Sequence, residues 1–391
     1  MAMGELVLVS NPGSSSRKYG VYKGKECVAK LHFEHVENRI VCTVTKKDGS
    51  NEERETDLHN MEDAMGKMRE IFKELGIEES NISAVAVRVV APSSHFLNDV
   101  ELDDHNIGVL RELMPAAPLH IKGTLEEAEA LKGEFPEMRI FGISDSNFHA
   151  AKPSRAWNYA IPIHDADRFN IKRFGYHGLS LASVARELRK QNTLPEKAIV
   201  CHIGSGVSVT ALLNGESQDN TMGFSPLDGV TMATRSGSLD VVAYNRLKSL
   251  LNFDDDQMYH YLNQESGLKG LSGVSPDIRE LLKQEEYNPL VQLALETYVY
   301  NIQKAIGQMA AALNGVEALV FSGTVGERSN PMRERIISQL GYLGFELDSN
   351  KNNELTGEGE IQAGESKKII VVPAQEELEM ACRVESHLQG S

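Results

Sequence analysis

From its amino end the chain reads as short apolar runs separated by turn residues. Leu6–Val9 ends in the turn-forming Asn-Pro-Gly-Ser-Ser-Ser of positions 11–16, and Tyr19–Tyr22, Val28–Phe33 and Ile40–Val44 follow, broken at Gly24, Lys25 and Asn38. That spacing predicts a meander of strands. At Met61 the period changes to 3.6, with Met65, Met68, Phe72 and Leu75 on one face, Asn60 as N-cap and Gly76 as the stop, which predicts a helix. Ala84–Val90 reads as a buried strand, Thr124–Leu131 as a capped helix and Met138–Ile143 as another strand.

The second half repeats this order. Ala198–Ile203 is a strand ending in Gly-Ser-Gly-Val-Ser, and Val209–Leu213 turns back through Asn214-Gly215. A long helix is predicted from Pro289, capped by Asn288, to Leu313, closed by Asn314-Gly315. Strand Ala318–Phe321, a helix around Met332–Leu340, strand Ile369–Val372 and a terminal helix from Glu376 complete it. Both halves thus open on a strand, a small-residue turn and a returning strand, then alternate helix and strand, which suggests an internal duplication. The polar stretch Asn350–Lys368 reads as a surface loop without chemistry.

The 391 residues allow two to three domains as a soft prior, and a chain of this length needs neither disulfides nor a structural metal to hold its core. With 40 Lys and Arg against 56 Asp and Glu, the net charge of −16 argues against a surface built to grip nucleic acid or anionic lipid. Cys27, Cys42, Cys201 and Cys382 are widely spaced with no Cys-x-x-Cys pair, so free thiols in a reducing compartment are expected. The first residues lack a basic region and Glu5 interrupts their apolar run, unlike a signal peptide. No stretch approaches the length of a membrane span. A cytoplasmic protein is the expectation.

Three strand ends run into small-residue turns: 11–16, Gly204-Ser205-Gly206-Val207-Ser208, and Ser322-Gly323-Thr324-Val325-Gly326-Glu327. Such turns can aim several N–H groups and hydroxyls at one oxyanion. None is a Walker A loop. Arg88 lies inside the apolar run Val-Ala-Val-Arg-Val-Val, and Arg235 lies in Thr-Arg-Ser-Gly. A buried guanidinium needs an anion, either a structural carboxylate or a transferring phosphoryl group. His120, His177 and His202 each follow apolar residues beside a loop, and Asp145 ends a buried strand, where a Mg²⁺ ligand often stands. The remaining histidines, among them His32, His35, His59 and His387, fall in charged surroundings and read as solvated.

Ten segments in one order, NPGSSSRKYGVY, RVVAPSSHF, APLH, ISDSNFH, FGYHGLS, HIGSGVSV, MGFSPLDGVTMATRSGSLD, SGLKGLSGVSPDIREL, FSGTVGERSNPMRERI and PAQEELEMA, closely resemble the acetate kinase family, within the superfamily of acetate and sugar kinases, heat-shock chaperone ATPases and actin. The resemblance implies an α/β chain of two duplicated RNase H-like (actin-like ATPase) domains with an active-site cleft between them: residues 1–148 joined by a returning helix 377–391, and a nucleotide-binding domain 149–376. It implies reversible Mg²⁺-dependent (or Mn²⁺-dependent) transfer from ATP to acetate, giving acetyl phosphate and ADP, in a homodimer.

Carried onto this sequence, the resemblance places Asn11 and Lys18 at the phosphate loop, and Arg88 and Arg235 about the carboxylate and the γ-phosphoryl group. His177 stabilises the transition state, with His120 and His202 in support. Asp145 and Glu376, with Asn11 nearby, hold the metal. Gly204, Ser205, Gly206, Asp277, Arg279, Thr324 and Gly326 face the nucleotide, and Val90, Leu119, Tyr176 and Pro226 wall the acyl pocket. Domain closure would exclude water. The family pattern is altered at Ala91-Pro92-Ser93, Ile121-Lys122, Ser205, Thr324 and Tyr176. These changes keep three alternatives open: propionate or butyrate as acceptor, pyrophosphate or another nucleotide as donor, and a nucleotide-binding regulatory protein without turnover.

Overall fold

The computed structural model describes residues 5–13, 16–36 and 39–389; Ser14, Ser15 and Asn38, which the sequence reading used as turn and break, lie outside them. The chain divides into two compact units, Met1–Asn147 with Gln375–Ser391, and Phe148–Ala374. Gln375 and Glu376 therefore go with the first unit, whereas the sequence reading had kept them in the second domain.

In the first unit, strands β1 (Leu6–Pro12), β2 (Ser16–Lys23), β3 (Glu26–Val36), β4 (Arg39–Lys46), β5 (Asn51–Glu55), β6 (Ile82–Val89), β7 (Val100–Glu101) and β8 (Arg139–Ser144) form one sheet in the order β5-β4-β3-β2-β1-β6-β8-β7. The meander β1 to β5 is antiparallel, β1, β6 and β8 run parallel, and β7 pairs antiparallel with β8. Strand β5, Asn-Glu-Glu-Arg-Glu, escaped the hydrophobic pattern because it is a charged edge, the composition that protects an open ladder.

In the second unit, β9 (Lys197–Ile203), β10 (Val207–Leu213), β11 (Glu216–Asn220), β12 (Ala318–Ser322), β13 (Gly359–Glu360) and β14 (Lys368–Val371) lie in the order β11-β10-β9-β12-β14-β13. Pairing directions match the succession β3-β2-β1-β6-β8-β7 one for one. The same sheet is built twice.

Several local expectations are corrected. Asn60 makes no side-chain cap; a single 3₁₀ turn, Met61–Asp63, precedes the helix Ala64–Glu74. The helix expected from Thr124 starts at Pro118 and runs to Glu134. Gly123 lies within it, and the missing side chain leaves room for Arg17, whose Nη1 would lie 3.2 Å from a β-carbon there. The 350–368 stretch opens with a helix, Ser349–Glu354, capped by Asp348, and Asn352 within it is buried. The long helix Pro289–Ala312 is capped by Asn288, which accepts from the N–H groups of Leu290 and Val291. Among the described residues no helix is long and apolar enough to cross a membrane.

Candidate active site

In the first unit, three neighbouring parallel strands end at one edge of the sheet, the side where α/β sheets commonly bind ligands. Register sets Ser10 of β1 opposite Val87 of β6, and Arg88 opposite Ile143 of β8, so Asn11, Arg88 and Asp145 come together at the strand ends. Arg88 Nη2 donates to Asp145 Oδ2 at 3.0 Å and Nη1 to Asn11 Oδ1 at 3.3 Å, with Glu376 Oε2 3.6 Å from Nη1. Asn11 Nδ2 in turn donates to Glu376 Oε2 and Glu377 Oε1, each at 3.1 Å. Burial opposes the Arg88 charge, but Asp145 and then Glu376 outweigh it and hold the guanidinium above its ordinary pKa. Lys18, opposite Asn11 in the β1–β2 ladder, has Nζ 4.0 Å from Glu377 Oε1.

Asp145 and Glu376 supply carboxylate oxygens and Asn11 an amide oxygen around this one guanidinium. Among the described residues no group of three or more His, Cys, Asp or Glu forms an all-protein cation cage. A donor set of hard oxygens with few carboxylates fits Mg²⁺, which takes its remaining ligands from phosphate and water.

In the helix Pro118–Glu134, Glu127 is buried. Its carboxylate accepts from Ser10 Oγ at 2.7 Å and Tyr19 Oη at 3.4 Å, with Arg17 Nε 3.7 Å away. Burial raises its pKa against those partners. The Thr124 hydroxyl donates to the carbonyls of Arg88 at 3.1 Å and His120 at 3.2 Å. Both Val90 and Leu119 belong to this unit, Val90 buried and Leu119 half-buried in the first turn of Pro118–Glu134.

In the second unit His177 sits at the N-cap of the helix Gly178–Lys190 with φ 59°, a left-handed conformation that few non-glycine residues adopt. Its Nδ1 bonds Ser208 Oγ at 3.0 Å, and its ring lies 4.1 Å from that of His202, whose Nδ1 bonds Ser180 Oγ at 2.7 Å. A β-carbon at Gly206 would lie 3.0 Å from His177 Nε2 and 3.3 Å from Arg235 Nη1, so imidazole and guanidinium converge over bare backbone. Gly267 is required behind Arg235: at φ 62° its β-carbon would lie 2.3 Å from the Met232 carbonyl and 2.8 Å from that of Arg235. Arg235 Nη1 reaches the Pro226 carbonyl at 3.4 Å.

His149 fixes the backbone before His177. Nε2 meets the Tyr176 carbonyl at 2.9 Å and Nδ1 meets Ser217 Oγ at 2.7 Å, while a β-carbon at Gly175 would strike the ring at 2.8 Å. A carbonyl only accepts, so Nε2 carries the proton and Nδ1 accepts from the serine. The Tyr176 hydroxyl donates to the Phe224 carbonyl at 2.6 Å and so ties this residue to the loop of Pro226. Tyr159, Arg173 and Asp228 brace the same loop: Tyr159 Oη accepts from Phe224 N–H at 2.9 Å, and Arg173 Nη1 donates to Asp228 Oδ2 at 3.1 Å.

The third turn is corrected outright, since Gly323–Arg328 is a short helix. Glu327 Oε1 accepts from the N–H groups of Gly323 and Ala374, each at 2.9 Å, and the buried Arg333 takes the carbonyls of Gly326 and Glu327 at 2.9 and 2.8 Å while bonding Asn352. Asn352 thus gives a packing role to a stretch read as surface loop. Thr324 is exposed on this helix, 3.5 Å from where a β-carbon on Gly204 would stand, Ser205 is exposed, and Gly326 is buried. Asp277 caps the helix Ile278–Gln284 and pairs with Arg279, Oδ2 to Nη2 at 2.6 Å.

Sequence reasoning gave no role to His149, Ser180, Glu377 and Glu127. His149, Ser180 and Glu377 stood inside recognised segments, where a polar residue near a chosen one was the available signal.

Residues 6–382 match the family described as "Acetokinase family". The acetate kinase of Pseudothermotoga lettingae is 35% identical over 386 residues, covering 96% of this chain and 95% of the relative. The crystal structure of Porphyromonas gingivalis acetate kinase superposes with a TM-score of 0.84 at 31% identity, covering 98% of this chain and all of that one. A propionate kinase from Francisella tularensis gives a TM-score of 0.87 at 29% identity, covering 97% and 98%.

Proposed function

The chain belongs to the acetate kinase family, with two mixed α/β units of the actin-like ATPase fold, and from that premise we propose that it moves the γ-phosphoryl group of ATP onto acetate, reversibly and by direct in-line transfer. The observation that carries the reading is the convergence of His177 and Arg235 over Gly206. An acetate oxygen is already ionised at neutral pH and needs no base to attack. The obstacle is anion repulsion, and fixed cationic and N–H donors stabilise the charge that spreads over the transferring oxygens. We assign that task to Arg235 and the His177 Nε2, and the orientation of the acceptor carboxylate to Arg88. His202 and Ser208 hold the His177 ring. No protein nucleophile is needed, so no phosphoenzyme forms. Asn11, Asp145 and Glu376 would hold Mg²⁺, which neutralises phosphate charge when bound. Lys18, Gly204, Ser205, Gly206, Asp277, Arg279, Thr324 and Gly326 are assigned to the nucleotide, and Val90, Leu119, Tyr176 and Pro226 to the acyl group.

The propionate kinase relative favours a second reading of the acceptor, in which propionate also serves. A turnover-free regulatory role is disfavoured, because nucleotide binding alone calls for neither Arg88 nor Arg235. Trapping acyl phosphate as hydroxamate, with acetate, propionate and butyrate crossed against ATP, GTP and pyrophosphate, tests all of these. Acetate with ATP should give the highest kcat/KM, and no product in any combination from folded protein with Mg²⁺ present refutes the kinase reading. A homodimer is supported by the helix Val241–Leu251, which has no buried residue and leaves Val241, Val242 and Leu250 about two-thirds exposed; light scattering would give its mass. Four free cysteines support a reducing, cytoplasmic setting.

A further inference from the structure

Asp145 takes its position from the residue before it. Ser144 ends β8, and its N–H donates to Asp99 Oδ1 at 2.8 Å while its carbonyl accepts from Arg383 Nη1 at 3.2 Å. Its hydroxyl donates to the Phe96 carbonyl and accepts from the N–H groups of Ser146 at 3.1 Å and Asn147 at 3.0 Å. Arg383 Nη1 also donates to Asp99 Oδ1 at 3.2 Å. One guanidinium nitrogen and one carboxylate oxygen therefore close a ring through the N–H and carbonyl of Ser144. Both side chains are largely withdrawn from water, Asp99 at 9% and Arg383 at 14% exposed. Glu379 Oε1 lies 3.4 Å from Arg383 Nε, and His387, stacked on Phe141, puts Nε2 3.6 Å from Asp99 Oδ2.

The helix Glu376–Gln389 that supplies Arg383 also supplies Glu376 as its first residue. Arg383 lies about two turns further on, and so on the same face. The two carboxylates that meet Arg88 thus belong to two segments, the end of β8 and the start of this helix, and Asp99 with Arg383 ties one segment to the other. Asp145 N–H adds a bond to the Val89 carbonyl at 2.9 Å, joining β6 to the same piece.

We propose that Asp99 and Arg383 form a latch that sets the spacing of Asp145 and Glu376 about Arg88, acting as positioning residues that touch no reactant. The kinetic part rests on the reading of Arg88, Asp145 and Glu376 given above; the structural part does not. A misplacement of about 1 Å at such a constellation costs up to about 10² in rate, so loss of the latch is expected to appear in kcat.

The test compares full-length wild type with Arg383→Met, which keeps the alkyl stem, Arg383→Lys, which restores one charged donor, and Asp99→Asn, which keeps an acceptor for Ser144. Hydrogen exchange is followed at the amides of residues 144–147. Arg383→Met should exchange there about tenfold faster or more, with Arg383→Lys between it and wild type, while β9 and β12 stay protected. In the same proteins kcat should fall about tenfold or more in Arg383→Met, with partial recovery in Arg383→Lys and less than about a threefold change in carboxylate KM. Unchanged exchange at residues 144–147 in folded Arg383→Met overturns the latch, and faster exchange with wild-type kcat overturns its positioning role. If Arg383→Met does not fold, Arg383→Lys and Asp99→Asn carry the same comparison. A wild type that makes no acyl phosphate fails the kinase reading alone, because the exchange measurement still decides whether the latch exists.

Discussion

Acidification should weaken the second unit through His149, and by a calculable amount. Burial, reinforced by the nearby Lys152 charge, lowers the His149 pKa from 6.5 to about 3. In the unfolded chain the ring titrates normally. Below pH 6.5 the unfolded state therefore takes up a proton that the folded state refuses until about pH 3, so the stability is fully present above 6.5 and lost as pH falls through that window. The slope approaches about 1.4 kcal/mol per pH unit, and between pH 7 and pH 5 the loss sums to about 2 kcal/mol. Trp157 is the chain's one tryptophan and lies in the second unit, its ring 6.1 Å from that of Phe174. Its fluorescence reports unfolding of that unit in urea without assuming that both units melt together. The comparison is wild type against His149→Gln at pH 7 and pH 5, so that other titrating groups cancel. The glutamine variant should be the less stable at pH 7, and the gap should shrink by about 2 kcal/mol at pH 5. A gap equal at the two pH values would refute the assignment of a neutral His149 and, with it, the hydrogen bond that Nδ1 accepts from Ser217.

Arg88→Ala and Arg235→Ala should each lower kcat/KM by about 10² or more, because each removes a fixed cation, Arg88 proposed to orient the acceptor carboxylate and Arg235 to meet developing charge; near-wild-type rates in either reject that residue's role. Gly206→Ala should cost at least about tenfold in kcat, since its methyl group presses on His177 Nε2 and Arg235 Nη1, with a stability change near the ordinary scale of about 1 kcal/mol; equal kcat in steady-state assays would show that the two side chains need not converge there. Lys152, buried with Nζ donating to the Arg173 carbonyl at 2.6 Å, is lowered by burial to a pKa of about 7. Because the unfolded lysine holds its proton to about pH 10.4, wild-type stability should rise with pH from 7 to 9 and that rise should vanish in Lys152→Met, as read by urea midpoints.

Much of this architecture was legible from residues alone where local and tertiary signals agreed. The apolar strands beginning at Leu6, Ala84, Ala198 and Ala318 are buried and read clearly, as did Asn288 with Pro289 at the head of the long helix. Failures occurred where a partner distant in sequence decides the outcome. The helix was read as starting at Thr124, yet it starts at Pro118 and takes in Gly123, where Arg17 occupies the space a side chain would fill. The Ser322–Glu327 segment looked like an irregular turn, yet Glu327 and Arg333 satisfy both ends of a short helix there. Of the site, the single charged residues in apolar runs stood out. Their supports did not, because Asp99, Glu127, Arg383 and Asn352 sit in polar stretches that resemble solvated surface until the chain is folded.

The first unit is assembled from segments on either side of the second in sequence, and its helix Glu376–Gln389 packs on β1, β2, β6 and β8. A ribosome delivers that helix after the whole of the second unit. The second unit is continuous and can fold before that helix emerges, whereas the first must wait for it with the β1–β6–β8 face uncovered. Stalled or truncated chains lack Glu376, and Arg88 is then missing one of its two carboxylates. The order of synthesis thus makes passage through the second unit a condition for a complete charge cluster, and a chain stopped before Glu376 exposes apolar sheet of the kind that chaperones and proteases recognise.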